Sequence, residues 1–201
     1  MSKTIVAIIG SYRRGCITEQ TVDAMLAEIE RRGGRTEKIL LTEKRIEFCR
    51  NCRACTQEAA EKRRGRCVIE DEMEGILDSI DSASAVILAA PVNFSNTTAI
   101  MKRFIERLIC YTYWPWTRMI PASRIKRERR RAVLFTSSGA PAIVNRIIMP
   151  CPLKALKVAA DVMGARDKRT IYMGLAGKDP GQNLGARDLC RANSAAAWLL
   201  G

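Results

Sequence analysis

Residues 3–18 constrain the fold more than any other stretch of the chain. An apolar run over residues 5–9 leads into a polar loop at Gly10, and apolar residues then recur at helical spacing until Gly33 and Gly34. A continuous apolar run that ends at a glycine is typical of a strand buried on both faces. The stretch therefore predicts a strand, a polar loop and a helix, which is the repeating unit of parallel sheets.

The same alternation continues along the chain, where apolar runs predict strands and apolar residues at helical spacing predict helices. The further predicted strands are residues 38–41, 85–90, 132–136 and 170–173, and the later helices lie within residues 71–80, 100–109, 153–163 and 181–200. This pattern indicates an α/β fold with a doubly wound, five-stranded parallel sheet of order 2-1-3-4-5. We expect residues 1–201 to form a single domain that carries a Cys-rich loop over 42–67 and an aromatic and basic insertion over 111–131.

Three loops that follow predicted strands are rich in Gly, Ser, Thr, Asn and Pro, namely residues 10–18, 91–97 and 137–141. In a doubly wound sheet, ligands bind outside the carboxyl ends of the strands. The first loop offers Ser11, Arg13 and Thr18 beside a helix N-terminus, and these are donors that can hold a phosphate. Together the loops predict one ligand site, although an ordinary strand-to-helix turn is the alternative for the first loop alone.

The composition limits the chemistry that the chain can perform. Its 201 residues include no histidine, which excludes Ser-His-Asp and Cys-His catalysis and histidine metal ligands. An enzyme of this composition would depend on a cofactor. The net charge of +13 suits anionic small molecules, and we rank nucleic acid below them because no nucleic-acid-binding motif accompanies the charge. No apolar run is long enough to cross a membrane and the chain starts with a strand, so we expect a cytoplasmic protein.

Cysteine spacing is the most specific local pattern. Eight cysteines in a cytoplasmic chain indicate reduced thiols or metal–sulfur chemistry instead of disulfides. Cys49, Cys52 and Cys55 stand at three-residue intervals, and these three with Cys67 are candidate ligands of a [4Fe–4S] cluster. Cys151 is a more distant candidate for the fourth ligand. A zinc site and free, redox-active thiols are the other interpretations, and the flanking arginines predict lowered thiol pKa values.

Residues 111–131 leave several interpretations open. The basic residues of this segment are Arg124, Lys126, Arg127, Arg129, Arg130 and Arg131. They are interpreted as a solvated approach to a strand, as a site for dinucleotide phosphates, or as a nucleic-acid contact. Tyr113, Trp114 and Trp116 are interpreted as contacts of a homodimer, as a lid over a cofactor, or as a cover for the sheet's own core.

Four sequence motifs together carry a family resemblance. They are Gly10-Ser11-Tyr12-Arg13, Cys49-x-x-Cys52-x-x-Cys55 with Cys67 before Asp71, Ala90-Pro91-Val92-Asn93-Phe94, and Lys102-Arg103-Phe104-Ile105-Glu106-Arg107. In this order the chain resembles the NAD(P)H-dependent FMN reductase-like flavoproteins of flavodoxin-like fold, and most closely the branch with iron–sulfur flavoproteins. The similarity covers most of residues 3–140.

The resemblance implies bound FMN, with NAD(P)H as co-substrate. The first loop would hold the phosphate, the second would lie against the isoalloxazine ring, and the third would touch its other side. The matching residues are Ser11, Arg13, Cys16, Ile17 and Thr18 in the first loop, Pro91, Val92, Asn93, Phe94 and Asn96 in the second, and Ser137, Ser138 and Gly139 in the third. Cys16-Ile17 replace the family's Gly-Asn and Asn93 replaces its Tyr, which predicts weaker FMN binding.

We therefore expect an FMN-dependent oxidoreductase that moves electrons from NAD(P)H or a protein donor to a quinone, a flavin or an Fe–S partner. No side chain is expected to be catalytic, because the flavin carries the chemistry. The alternatives are a non-catalytic FMN and iron–sulfur electron carrier, and an anion- or nucleic-acid-binding module without flavin. We expect a homodimer or a homotetramer.

Overall fold

The computed structural model describes residues 2–57, 63–126, 130–179 and 181–201, so Arg127 and Arg129 lie outside the described residues. The strands are β1 (Thr4–Ile9), β2 (Arg35–Leu40), β3 (Ala85–Asn93), β4 (Asn96–Thr97), β5 (Thr112–Tyr113), β6 (Ala122–Ser123), β7 (Arg130–Ser137) and β8 (Ala165–Met173). The helices are α1 (Ile17–Arg31), α2 (Ala54–Gln57), α3 (Met73–Ser82), α4 (Ala99–Arg107), α5 (Ala142–Ile148), α6 (Cys151–Val162) and α7 (Ala186–Leu200). Short 3₁₀ turns cover Leu41–Glu43 and Leu108–Tyr111.

Five parallel strands form the central sheet in the order β2-β1-β3-β7-β8. This is the predicted order 2-1-3-4-5, and the predicted flavodoxin-like fold class is confirmed. Strand β8 begins at Ala165, earlier than the predicted residue 170. The prediction missed the first half of this strand because that half is mostly exposed and polar. An edge strand with one solvated side lacks the continuous apolar run that marks a central strand.

Side chains of the central strands alternate between two layers of helices. On β1, Val6 and Ile8 pack with α3, α4 and α6, whereas Ile5 and Ile9 pack with α1 and α7. All four of these side chains are buried. The sheet is thus covered on both faces, and its loops are left to form the rims.

Gly10, at the end of β1, allows α4 to approach the sheet closely. A Cβ atom on Gly10 would lie 2.6 Å from the Cβ of Met101. The hydroxyl of Thr98, the N-cap residue of α4, donates to the Gly10 carbonyl at 2.6 Å and accepts from the Met101 N–H at 3.3 Å. The first turn of α4 is therefore fixed beside the first loop.

Part of the predicted loop 91–97 is a β-hairpin. Strand β3 continues through Asn93, turns at Phe94 and Ser95, and pairs antiparallel with β4. Phe94 and Ser95 have φ values of 46° and 63°, which is the left-handed backbone of a two-residue type I′ turn. The usual Asn-Gly signal for this turn is absent, so the sequence predicts only a loop.

The two long connections of the chain contain little regular structure. The Cys-rich connection has one helical turn, α2, within its described residues. The aromatic and basic insertion contains β5 and β6, which pair antiparallel as a small separate sheet. Among the described helices, none combines the length and the apolar character that crossing a bilayer requires.

Candidate functional site

A cavity of about 300 Å³ lies at the carboxyl ends of the central strands, a volume at the lower end of the range for small-molecule sites. Four segments contribute to its lining, namely residues 11–13 and 16–18, residues 91–93 with 98, residues 137–139, and residues 176, 177, 179 and 182. The three loops that were predicted to share one site therefore lie together. We refer to this space as the cofactor cavity.

All but two of the predicted cofactor-binding residues line the cofactor cavity. They are Ser11, Arg13, Cys16, Ile17, Thr18, Pro91, Val92, Asn93, Ser137, Ser138 and Gly139. Phe94 and Asn96 lie outside this lining, because they belong to the β3–β4 hairpin, and the Phe94 side chain is fully exposed. Contact between these two residues and a bound ligand therefore stays a prediction.

The sequence-based prediction omits a fourth loop and two residues next to the predicted ones. Ala176, Gly177, Asp179 and Gln182 line the cavity from the segment after β8, as do Tyr12 and Thr98 from the first and second loops. The signal for the fourth loop was its position, because it too follows the carboxyl end of a parallel strand.

The first loop and α1 direct hydrogen-bond donors towards the cavity. Cys16 is the N-cap residue of α1 and its side chain makes no capping hydrogen bond, so the first N–H groups of the helix remain free of a side-chain acceptor. The Arg13 guanidinium forms no ion pair within the described residues, and its Nη1 atom lies 3.4 Å from where a Cβ on Gly177 would stand. A helix N-terminus beside an unpaired arginine attracts an anion.

Hydrogen bonds between the loops hold the walls of the cavity in place. The hydroxyl groups of Thr18 and Ser137 are 3.0 Å apart and buried. The Ser138 N–H donates to the Met173 carbonyl, and the Ala176 N–H donates to the Ser138 carbonyl, each at 2.9 Å. The first, third and fourth loops are therefore held together at the sheet edge.

The four predicted cysteine ligands surround a second, smaller cavity. Cys49, Cys52, Cys55 and Cys67 line it, and we refer to this region as the cysteine site. Its space of about 20 Å³ is close to that of one water molecule. Within the described part of the chain, no group of three or more Cys, Asp or Glu side chains is arranged to hold a single metal ion. Cys151, the alternative ligand, is exposed at the start of α6, away from this cavity.

The backbone between the cysteines has an unusual conformation. Asn51 and Arg53, which alternate with the cysteines, have φ values of 51° and 60°, a conformation that non-glycine residues adopt only where the surroundings impose it. Gly65 packs directly on Cys55, since an added Cβ would lie 1.7 Å from the Cys55 carbonyl oxygen. The Gly65 N–H donates to the Cys110 carbonyl at 2.9 Å. The segment that leads to Cys67 is therefore in close contact with Cys55.

The predicted lowering of the thiol pKa is wrong for Cys55. Burial, and after it the nearby Cys67, Cys49 and Cys52 thiols, raise the pKa of Cys55 to about 11. Two of the flanking arginines pair with carboxylates instead, since Arg63 contacts Asp81 and Arg64 contacts Glu74, Asp78 and Asp81. At neutral pH the Cys55 thiol thus keeps its proton.

Trp114 and Trp116 pack on the cysteine site. The Arg53 guanidinium lies between their rings, 3.7 Å and 4.2 Å from the two centroids. The Trp114 carbonyl accepts from Arg53 Nη2 at 2.7 Å and from the Thr56 hydroxyl at 3.1 Å. None of the described residues between 112 and 123 lines the cofactor cavity, so these rings form no lid over it within one chain.

The described arginines of the basic run have structural roles. Arg124 and Arg130 are only 8% and 7% exposed. Arg124 Nε donates to the Thr112 carbonyl at 3.1 Å, and Arg130 Nη1 donates to the Ile80 carbonyl at 2.6 Å. The interpretation as a solvated run is therefore wrong for these two residues, and they are not available to bind phosphate.

The fold and the cofactor cavity define a class, namely doubly wound, flavodoxin-like α/β proteins with a ligand site at the carboxyl ends of the strands. Within that class the family can be stated. Residues 4–140 match the NADPH-dependent FMN reductase family, and the chain belongs to it.

Two relatives are named as iron–sulfur flavoproteins. The one from Archaeoglobus fulgidus is 36% identical over 110 residues, which cover 55% of this chain and 47% of the relative. The one from Methanosarcina thermophila is 30% identical over 105 residues, which cover 52% of each chain. The chain thus spans about half the length of these curated relatives.

Solved structures share the fold. An FMN-dependent NADH-azoreductase from Bacillus anthracis, in complex with FMN, superimposes with a TM-score of 0.71 at 15% identity, over 99% of this chain and 100% of that one. An NAD(P)H:quinone oxidoreductase from Methanothermobacter marburgensis has a TM-score of 0.69 at 18% identity, over 98% of both chains. At this level of identity the likeness establishes the fold alone.

Proposed function

We propose that this protein is an FMN-dependent oxidoreductase that passes electrons from NAD(P)H or a reduced protein to a small acceptor such as a quinone or a free flavin. The observation that carries the proposal is the cofactor cavity, in which the unpaired Arg13 and the N-terminus of α1 face a slot at the switch point of the sheet. Membership of the FMN reductase family supports it. When bound, FMN supplies the hydride and single-electron chemistry.

The residues of the cavity suit the two ends of FMN. Arg13, Ser11 and the first N–H groups of α1 would bind the phosphate, because all of them are donors. Pro91 and Val92 offer an apolar wall for the flat ring, and the Asn93 amide offers polar contacts beside it. These groups bind and orient the flavin and move no proton themselves, which is consistent with a chain that lacks histidine.

Titration of the flavin-free protein with FMN, followed by an NAD(P)H oxidation assay, tests this proposal. We expect saturable quenching of flavin fluorescence at one FMN per chain, and NADPH or NADH consumption that requires FMN and a quinone. Absence of saturable FMN binding would reject the proposal. FMN binding with reduction by a reduced protein donor only, and not by NAD(P)H, would favour an electron carrier instead of a reductase.

We also propose that the cysteine site holds a [4Fe–4S] cluster, with Cys49, Cys52, Cys55 and Cys67 as ligands. Four thiols around one cavity in a chain without histidine suit an all-cysteine cluster, and two relatives are named as iron–sulfur flavoproteins. The cavity is smaller than a cube of four irons and four sulfides, so the thiols would turn outward on binding. Anaerobic purification should give about four irons per chain and broad visible absorbance beyond that of flavin. Flavin without iron or acid-labile sulfide would reject the cluster.

We propose that the protein assembles as a homodimer or a homotetramer and that it is located in the cytoplasm. Exposed apolar side chains support an assembly, because a subunit interface would cover them. They include Phe94 at the hairpin tip and Ile143 and Ile147 on one face of α5. All eight cysteines are free, which suits a reducing compartment. Light scattering coupled to size-exclusion chromatography would measure the mass, and a monomer at all concentrations would contradict the assembly.

A further inference from the structure

Arg107, the last residue of α4, is almost fully buried beside the cysteine site. Its side chain is 2% exposed and forms an ion pair with Asp71, whose side chain is fully buried. The Nη1 atom donates to Asp71 Oδ2 at 2.6 Å, and Nη2 donates to Asp71 Oδ1 at 3.1 Å. A buried ion pair of this kind persists only where its geometry and its further hydrogen bonds are good.

The same ion pair holds both ends of the cysteine motif. On the N-terminal side, the Glu47 carbonyl accepts from Arg107 Nη1 at 2.9 Å, and the Glu47 N–H donates to Asp71 Oδ2 at 2.7 Å. On the C-terminal side, Arg107 Nη2 donates to the sulfur of Cys67 at 3.5 Å. Glu47 precedes Cys49 by two residues, so the entry and the exit of the motif are both fixed to the end of α4.

We propose that Arg107 is a positioning residue that fixes Cys67 as the fourth ligand of the cysteine site and tunes the reduction potential there. This inference rests on the proposed cluster. Cys67 is separated from the three closely spaced cysteines by the longest gap in the motif, so it has the greatest need of a contact that fixes its side chain. A positive guanidinium that donates to a coordinating sulfur stabilises the more negative, reduced form of a cluster, because both charge and hydrogen bonds to sulfur raise the reduction potential.

Arg107→Lys is the variant that tests the inference, because it keeps the charge but removes the planar fork that reaches Asp71 and Cys67 together. Arg64→Lys is the matched control, since Arg64 is also largely buried and pairs with carboxylates of α3, yet within the described residues it makes no hydrogen bond to any of the four proposed cysteine ligands. The holoproteins are compared for iron retention against a chelator, for midpoint potential, and for the electron paramagnetic resonance spectrum of the reduced cluster. FMN binding by each variant reports whether the sheet is folded.

We expect Arg107→Lys to retain iron about 10- to 100-fold less well than wild type, with an altered spectrum and a more negative potential. Arg64→Lys should match wild type in all three measurements. Equal iron retention, potential and spectrum in wild type and Arg107→Lys would overturn the inference and leave the cluster intact. A wild-type protein that takes up no iron would instead reject the proposed cluster, and the role of Arg107 with it.

A paired variant covers the case in which Arg107→Lys does not fold. Arg107→Gln combined with Asp71→Asn removes both buried charges together and so avoids leaving either one uncompensated. This double variant should fold, bind FMN as wild type does, and show the same loss of iron retention and the same shift of potential. Wild-type values for the cluster in the double variant would overturn the inference.

Discussion

The cofactor cavity and the cysteine site are held in place by different means. The cavity lies on the ends of parallel strands, and backbone hydrogen bonds such as that from Ser138 to Met173 position its loops. The cysteine site lies in a long connection with little regular structure, and it depends on a few buried side chains, above all Arg107 and Asp71. The comparison shows that topology supplies a site at a sheet edge, whereas a site in a long connection needs specific contacts from residues far away in sequence.

The largest difference between the two regions should appear when Asp71 is removed. Asp71→Ala leaves the Arg107 charge buried without a partner, and such losses cost about 3–5 kcal/mol. We expect urea unfolding to show a decrease of this size in the free energy of unfolding. The neighbouring Glu72→Ala, which loses an exposed ion pair with Lys44 and an exposed hydrogen bond from the Arg45 N–H, should cost only about 1–2 kcal/mol. Similar losses for the two variants would mean that the buried pair does not hold the connection.

In the cofactor cavity, the largest effect should come from Arg13. Arg13→Ala removes a charge-assisted hydrogen bond to the proposed phosphate, worth about 1.5–3 kcal/mol, so the Kd for FMN should rise about 10- to 150-fold. Riboflavin, which lacks the phosphate, should bind to both proteins equally well. The control is Arg14→Ala, whose side chain is paired with Glu19 and Glu43. Equal weakening of FMN and riboflavin would contradict the placement of the phosphate.

Two glycines, one beside Cys55 and one in α3, give a smaller and more local comparison. Gly65→Ala places a Cβ against the Cys55 carbonyl, and overpacking of this kind costs about 1–3 kcal/mol. We expect Gly65→Ala to lose iron while it keeps FMN. Gly75→Ala, in open space within α3, should stabilise the protein by about 0.5–1 kcal/mol. Iron and FMN contents measure the occupancy of the two sites, and thermal unfolding measures the stability of each variant. Iron retention in Gly65→Ala would show that the close contact between Gly65 and Cys55 is not needed.

The smallest expected effect is a dependence of stability on acid pH. Burial alone would raise the pKa of Asp71, but hydrogen bonds from Arg107 and from the Glu47 and Met73 N–H groups outweigh it and lower the pKa. A lowered pKa in the folded state stabilises the protein fully above the unfolded value of about 3.9 and loses this contribution as the pH falls through the folded value. The free energy of unfolding should therefore decrease below about pH 4, and less steeply in Asp71→Asn. Equal slopes in urea titrations of the two proteins would exclude Asp71 as the source.

The sheet and most of the cavity are predictable from the sequence because their signals are local. Residues 5–9 and 85–90 form continuous apolar runs, and the order of strands and helices then places the loops at one edge. The hydrogen bonds from Arg107 to Glu47 and Cys67 have no local signal in the sequence, because these residues are distant in sequence and meet only in the fold. The raised pKa of Cys55 escapes for the same reason, because it follows mainly from the burial of the thiol in the folded chain.

Helix α4 touches both sites, with Thr98 of its cap in the wall of the cofactor cavity and Arg107 at the cysteines. The helix therefore fixes the distance between the two sites and their relative orientation. Adding one residue would rotate its far end by about 100° and advance it by about 1.5 Å, which would swing the guanidinium away from Cys67. An insertion in α4 that keeps Arg107 facing Cys67 would therefore have to add about one whole helical turn.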